Sequence, residues 1–229
     1  MHMSDRVAAV VPAAGRGERL GGSVPKALRS LAGRSLVQHA VESLTSAALV
    51  DQVVVAAPTA ELDAFAALLG PGVQVIAGGA ERIDSVRAAL AVLDETVGVV
   101  LVHDAARPLT PPALVDTVAS AVLAGAPAVI PVLAVNDTIK QIDDTGRVVR
   151  TVPRDVLRAV QTPQGFRRDV LDDAYRLSAT LPPEVAITDD AGLVEALGVV
   201  VMTVPGAQEA FKVTRPADLV LAEALLAHR

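Results

Sequence analysis

The sequence predicts a doubly wound α/β fold with a mostly parallel sheet. Two observations point that way. Short runs rich in valine, leucine and alanine alternate with stretches of helical spacing along almost the whole chain, and the runs are apolar throughout rather than at every second residue. A strand that is apolar on both sides must be covered on both faces, the situation of parallel strands held between two helix layers. A third observation adds a feature to that plan: one stretch reads strand, turn, strand, a hairpin inserted into the alternation.

Taken in order, strands are expected at residues 7–11, 52–56, 73–77, 99–102, 128–132 and 199–204. Helices are expected at 36–44, 60–69, 84–93, 112–123 and 170–177, and an amphipathic helix over 215–227 closes the chain. The hairpin covers 135–151, with Asp143-Asp144-Thr145-Gly146 as its turn. A two-stranded ribbon has little core of its own. It is therefore expected to lie against a partner subunit as a dimerisation arm; the plainer alternative is a flap on its own subunit. Neither repeats nor linkers are visible, so residues 1–229 are read as one Rossmann-like domain with the arm at about 135–151.

Composition narrows the function. The chain is 52% hydrophobic over 229 residues, which allows a sizeable core without staples. Cysteine is absent, excluding disulfides, thiolate metal sites and a cysteine nucleophile. The first apolar run, Val7 to Val11, is too short for a signal peptide or a membrane span, so a cytoplasmic protein is expected. A net charge of −6 and an aromatic content of 2% argue against a nucleic-acid partner. Any anionic ligand must then be held by a few placed cations, and only Lys26, Lys140 and Lys212 are lysines.

The first strand runs into Pro12-Ala13-Ala14-Gly15-Arg16-Gly17-Glu18-Arg19-Leu20-Gly21-Gly22, with Pro25-Lys26 just beyond. Small residues there let backbone N–H groups approach a phosphate chain closely. Two familiar phosphate loops are excluded. A dinucleotide fingerprint needs glycine where Leu20 stands, and a Walker A loop needs Lys where Ser23 follows Gly22. What remains is a Gly-rich loop with Arg19 and Lys26 placed to neutralise a triphosphate, or an ordinary solvated turn.

The fourth strand ends in His103-Asp104-Ala105-Ala106-Arg107-Pro108. Ligands of open α/β sheets sit outside the carboxyl ends of the strands. A carboxylate there, facing a phosphate loop, suits Mg²⁺, which takes one or two carboxylates together with phosphate oxygens. Arg107 is placed to fork onto a second phosphate, or else to pair with Asp104 structurally. His103 is read as structural. Polar groups recur in Asn136-Asp137-Thr138, Gln161-Thr162-Pro163-Gln164, Thr188-Asp189-Asp190 and Phe211-Lys212-Val213-Thr214. Thr188 and Thr214 also suit helix N-caps, whereas Lys212 has no structural task in view.

Together the strings PAAGRGERLG with PK, GGAERIDSV, HDAARP, NDTIK, QTPQ, TDDA and KVTRP, in that order over nearly the whole chain, resemble one family. It is the 2-C-methyl-D-erythritol 4-phosphate cytidylyltransferase family of non-mevalonate isoprenoid synthesis. The resemblance implies a nucleotidyltransferase-type sheet and a homodimer whose arm completes the neighbour's site. The reaction it implies is Mg²⁺-dependent transfer of CMP from CTP to a polyol phosphate. By resemblance, Pro12, Ala13, Ala14, Gly15 and Gly17 belong to the CTP loop, and Gly79 and Ser85 read cytosine with Ala13 and Ala14. Asp104 holds the metal, and Arg19, Lys26 and Lys212 are catalytic cations. Arg107, Thr138, Arg154, Thr162 and Thr188 surround the polyol phosphate, Thr138 and Arg154 from the partner subunit. Glu18 is an unexpected neighbour for phosphates, and with Arg229 as the last residue no fused second enzyme is expected. Ribitol 5-phosphate as acceptor, a sugar-nucleotide pyrophosphorylase and a nucleotide-sensing module without turnover stay open as alternatives.

Overall fold

The computed structural model describes residues 5–15, 25–178 and 188–228. Strand β1 (Arg6–Pro12) lies at the middle of an eight-stranded sheet. On one side it pairs in parallel with β4 (Val50–Ala57), which pairs in parallel with β5 (Gln74–Ala77). On the other side it pairs in parallel with β6 (Val97–Val102). Two tiny strands, β2 (Ser30–Leu31) and β3 (Arg34–Ser35), form a separate ribbon.

The mostly parallel sheet is as expected; its second half is mixed. β7 (Ala128–Ala134) takes β12 (Met202–Pro205) in parallel. It also takes β10 (Arg158–Val160) and β11 (Gln164–Arg167) antiparallel, and β11 bridges it to β6. Neither β10 nor β11 is among the expected strands, because each is three or four residues long and carries no apolar run. The last expected strand begins later, at Met202, since residues 199–201 carry no strand pairing.

Alternation along β1 shows how both faces are used. Val7, Ala9 and Val11 join the core under α1 (Leu36–Thr45), α2 (Leu62–Leu69) and α4 (Pro112–Leu123). Ala8 and Val10 join the core under α3 (Arg82–Leu90), α5 (Arg168–Ser178) and α6 (Asp190–Ala196). A fully buried valine contributes roughly 1.5–3 kcal/mol over an exposed one, so the continuous apolar runs hold both helix layers. The closing helix, α7 (Pro216–Ala227), packs with Leu31, Leu109 and Val213 in a smaller cluster.

The hairpin is present as β8 (Ile139–Ile142) and β9 (Val148–Val152). Its turn is closed by Asp143, whose carboxylate accepts from Thr145 N at 3.0 Å and Arg147 N at 2.9 Å. Gly146 supplies the positive φ of +83° that an L side chain would resist. Ile142, Val148 and Val149 stand about 60% exposed along it.

Candidate active site

The ends of β1, β5 and β6 open on one cleft of about 210 Å³. Pro12, Ala13, Ala14 and Gly15 line it from the end of β1, Gly79 from the β5–α3 turn, Ser85 from α3, and Asp104 from just past the end of β6. Lys26 and Lys212 line it as well. The residues gathered there come from stretches up to 202 positions apart, from Pro12 to Thr214. Gly17 and Arg19 lie outside the described residues.

Backbone packing sets the shape of the cleft wall beside β1 and β5. Ala13 N donates to Ala56 O and Gly78 N to Ala57 O, both at 2.8 Å, carrying the β-ladder just past the strand ends. A Cβ on Gly78 would lie 2.6 Å from Ala14 Cβ and 2.8 Å from Ser85 Oγ, so glycine is required for this approach. Gly79 N donates to Ser85 Oγ at 3.1 Å, fixing a buried hydroxyl at the cleft wall.

Asp104 is the centre of charge. Lys212 Nζ lies 2.8 Å from Oδ2, Arg82 Nε 3.5 Å from Oδ1 and Arg107 Nε 3.9 Å from Oδ2. Burial opposes ionisation, yet Arg82, Lys212 and Arg107 together hold this carboxyl well below the usual carboxylate range. It is therefore charged at every ordinary pH. Lys212 reaches it because Val213 N donates to Ala106 O at 2.8 Å, pinning the 212–213 segment to the loop after β6.

Arg82 is a site residue that the sequence reading does not single out. It follows Gly79-Ala80-Glu81 at the start of α3 and lines the cleft. Its Nη2 donates at 2.6 Å to the fully buried Asp190, which also accepts from Tyr175 OH at 2.5 Å. Burial opposes its charge, but Asp190 and Asp104 more than compensate and raise its pKa. The available signal is an arginine at a helix start, a few residues behind a Gly-Gly turn.

The Gln161-Thr162-Pro163-Gln164 segment is buried and works on its neighbours. Gln161 clamps Ala207, donating to its carbonyl at 2.8 Å and accepting from its N–H at 3.0 Å. Thr162 Oγ1 accepts from Asp104 N at 3.0 Å and sits 3.0 Å from His103 Nδ1. Gln164 donates to Asp189 at 2.7 Å and accepts from Ala191 N at 3.1 Å, anchoring the start of α6. Asp189, whose carboxylate accepts from Gly192 N, caps α6 in place of Thr188, which is exposed. Thr214 does not cap α7 either. Its N–H and hydroxyl both donate to Asp218 in the first turn.

Other expected substrate residues fall around this cleft without lining it. Arg107 sits behind Asp104, with Nη1 donating to Ala210 O at 2.7 Å and Nη2 to Val160 O at 3.2 Å. Thr138 and Arg154 belong to the exposed base of the arm, where Arg154 donates to Asn136 O. His103 is fully buried, and burial followed by the nearby Arg107 charge pushes its pKa down to about 4, so it is neutral.

Among the described residues no group of three His, Asp or Glu side chains is arranged to hold a metal unaided. One ionised carboxylate at a strand end does fit Mg²⁺ shared with phosphate oxygens, since Mg²⁺ retains waters and uses few protein ligands.

Residues 7–228 match the family model described as IspD: 2-C-methyl-D-erythritol 4-phosphate cytidylyltransferase. The protein of that name from Frankia casuarinae is 70% identical over 98% of this chain and 82% of its own. The one from Saccharopolyspora erythraea is 55% identical over 96% of this chain and 99% of its own. Among solved structures, 2-C-methyl-D-erythritol 4-phosphate cytidylyltransferase from Thermus thermophilus superimposes with a TM-score of 0.79 at 37% identity, covering 97% of this chain and 99% of that one.

Proposed function

This chain belongs to the 2-C-methyl-D-erythritol 4-phosphate cytidylyltransferase family, and from that membership we propose how its cleft performs the reaction. The enzyme transfers CMP from CTP to 2-C-methyl-D-erythritol 4-phosphate in isoprenoid precursor synthesis, releasing pyrophosphate. The acceptor brings its own nucleophile, a phosphate with a second pKa near 6 that is mostly dianionic at neutral pH. No serine, cysteine or strong general base is needed. The obstacle is the approach of one anion to another, so catalysis consists of neutralisation and in-line positioning.

The observation that carries the site assignment is Asp104, an ionised carboxylate in the cleft with Lys212 and Arg82 on its two oxygens. Bound Mg²⁺ would be held by Asp104 and would offset charge on the triphosphate. The triphosphate is assigned to Lys26 in the cleft and, on the family pattern alone, to Arg19, while Lys212 steadies the α-phosphate during attack. The backbone at Ala13, Ala14 and Gly79, with Ser85, meets the cytosine edge, while Pro12, Gly15 and Gly17 let the phosphates approach. Thr188 with Thr138 and Arg154, the latter two across a homodimer interface, surround the acceptor phosphate. Arg107 and Thr162 contribute by holding Asp104 and its loop. The reading is of one nucleotidyltransferase domain acting in the cytoplasm as a dimer. It is supported by the exposed apolar arm, and none of the described helices is long and apolar enough to cross a membrane.

A pyrophosphate-release assay with CTP, UTP and ATP, and with methylerythritol and ribitol phosphates as acceptors, tests the reading. Turnover is expected with CTP and the methylerythritol acceptor only. Comparable rates with UTP would remove the cytosine assignment, because a site that hydrogen-bonds one exocyclic group leaves buried partners unpaired with its replacement. Asp104→Asn is expected to lower turnover by orders of magnitude with the fold intact, and normal turnover at saturating Mg²⁺ would make Asp104 purely structural.

A further inference from the structure

We propose that His103 and Thr162 are positioning residues for Asp104, acting through a directed hydrogen-bond chain that locks the loop after β6. The inference rests on the reading of Asp104 as the metal-binding carboxylate. His103 Nε2 lies 3.3 Å from Arg107 O. A carbonyl only accepts, so Nε2 carries the proton and Nδ1 is left as an acceptor. The Thr162 hydroxyl, 3.0 Å away, must then donate to Nδ1. That choice turns the lone pairs of Thr162 Oγ1 toward the Asp104 N–H, which donates to it at 3.0 Å.

Each link fixes the next. The chain runs from Asp104 N–H through the Thr162 hydroxyl to His103, and from His103 to the carbonyl of Arg107. Both ends and His103 lie on the stretch after β6 that carries Asp104, and Thr162 lies on the segment between β10 and β11. His103 is fully buried and Thr162 is 5% exposed, so water has little access to replace a lost link. The three cations around Asp104 aim its carboxylate, while this chain holds the backbone it hangs from. His103 thus has a defined tautomer and a task without touching any reacting atom. Partners of this kind, one step removed from a ligand, commonly change metal affinity about ten- to a hundredfold when lost.

The test combines a spectrum with metal binding. In ¹⁵N-histidine-labelled enzyme without nucleotide, His103 is expected as the neutral Nε2–H tautomer, its signals identified by their loss in His103→Asn. Mn²⁺ affinity of the CTP complex, measured by water-proton relaxation, is expected to weaken about tenfold in Thr162→Val. Thr162→Ser, which keeps the hydroxyl, is expected to restore it. A role in stability alone would lower the melting temperature of Thr162→Val and leave Mn²⁺ affinity where it was. An Nδ1–H tautomer of His103 would overturn the proposal, as would unchanged affinity in Thr162→Val. Should Thr162→Val fail to fold, the wild-type spectrum still decides. Asp104→Asn separates the two readings. Wild-type Mn²⁺ affinity in that variant would sink the metal assignment itself, whereas loss there without loss in Thr162→Val would sink only the chain.

Discussion

The two halves of the sheet build the cleft by different means. In the parallel half, β4, β1 and β6 are apolar and mostly buried, and this half delivers backbone to the cleft: Ala13, Ala14 and Gly79 at strand ends and turns. In the mixed half, around β7, β10 and β11, buried polar side chains hold the site-bearing segments in place. Gln161 grips residue 207, Thr162 grips Asp104, and Gln164 grips the start of α6. Backbone presentation needs only small residues and good core packing, so it survives conservative changes in the strands. Side-chain scaffolding depends on single hydrogen bonds in a dry environment, where each loss leaves a buried partner unmet.

The comparison can be broken most severely at the cations that each half contributes. Lys26 follows the β1 loop, and Arg154 stands beyond the arm on the mixed side. Lys26→Ala and Arg154→Ala are each expected to lose about 3–4 kcal/mol of transition-state stabilisation, since preorganised charge contacts are worth that much in comparable sites. If Arg154 serves the neighbouring subunit, co-expressing the two variants yields heterodimers with one doubly damaged and one intact site. Tagged heterodimers should then recover about half the activity per site, because catalysis needs all the cations together. Heterodimers no better than their parents would assign Arg154 to its own subunit.

Next in size is Asp190, the one fully buried carboxylate among the described residues. Asp190→Ala leaves Arg82 and the Tyr175 hydroxyl without their partner and is expected to cost about 3 kcal/mol. For a chain of this length that lowers the melting temperature by roughly 6–12 °C. Tyr175→Phe removes only one of the two contacts and should cost about 1 kcal/mol. Equal losses in the two variants would show that Arg82 finds another partner.

The same contrast explains what is legible in the sequence. Valine-rich strands such as 52–56 and 99–102 announce themselves because burial on both faces demands apolar residues at every position. Asp104 and Lys212 stand out in the sequence as well, as a carboxylate after an apolar strand and a rare lysine with no structural task, and both line the cleft. β10 and β11 are not legible, since their register is set by pairing with β7 rather than by a pattern of their own. Arg82 escapes notice because its role comes from Asp190, 108 positions away, and no local spacing encodes that distance. Thr162 reads in the sequence as a substrate contact; its hydroxyl faces Asp104 N and His103, a task visible only once β6 and the 161–164 segment are side by side.

Two glycines sharpen the comparison at lower cost. A Cβ on Gly165, in β11, would lie 2.6 Å from Val118 Cγ1 and 3.1 Å from Leu101 Cδ2, deep in the core. On Gly78 it would meet Ala14 and Ser85 at the cleft wall. Both alanine variants are expected to lose about 1–3 kcal/mol of stability through overpacking. Only Gly78→Ala should also raise KM for CTP, because the displaced atoms belong to the nucleotide side. Steady-state kinetics with denaturant melts would separate the two effects, and a matching rise of KM in Gly165→Ala would show that the halves are not independent.

The smallest effect is expected at the arm. Val148 and Val149 are about 60% exposed on β9, so replacing both with threonine removes little buried surface from the subunit itself. Threonine suits a strand, and its hydroxyl meets water without penalty, so subunit stability should change by no more than about 0.5 kcal/mol. A monomer would register nothing further. In a dimer that seats the arm on its neighbour, the same valines are covered, and each loses part of its apolar burial in both copies. A loss of about 1 kcal/mol across the interface would raise the dissociation constant roughly fivefold. Sedimentation equilibrium over a dilution series reads that shift directly, and thermal melts at high protein concentration check that the subunit is unharmed. Coupling to activity provides the finer discrimination. If the arm completes the neighbouring site, specific activity of the double variant should fall on dilution at protein concentrations where the wild type stays active. A variant that dissociates on dilution but keeps full specific activity would leave the arm as an assembly device alone, and would return Thr138 and Arg154 to their own subunit.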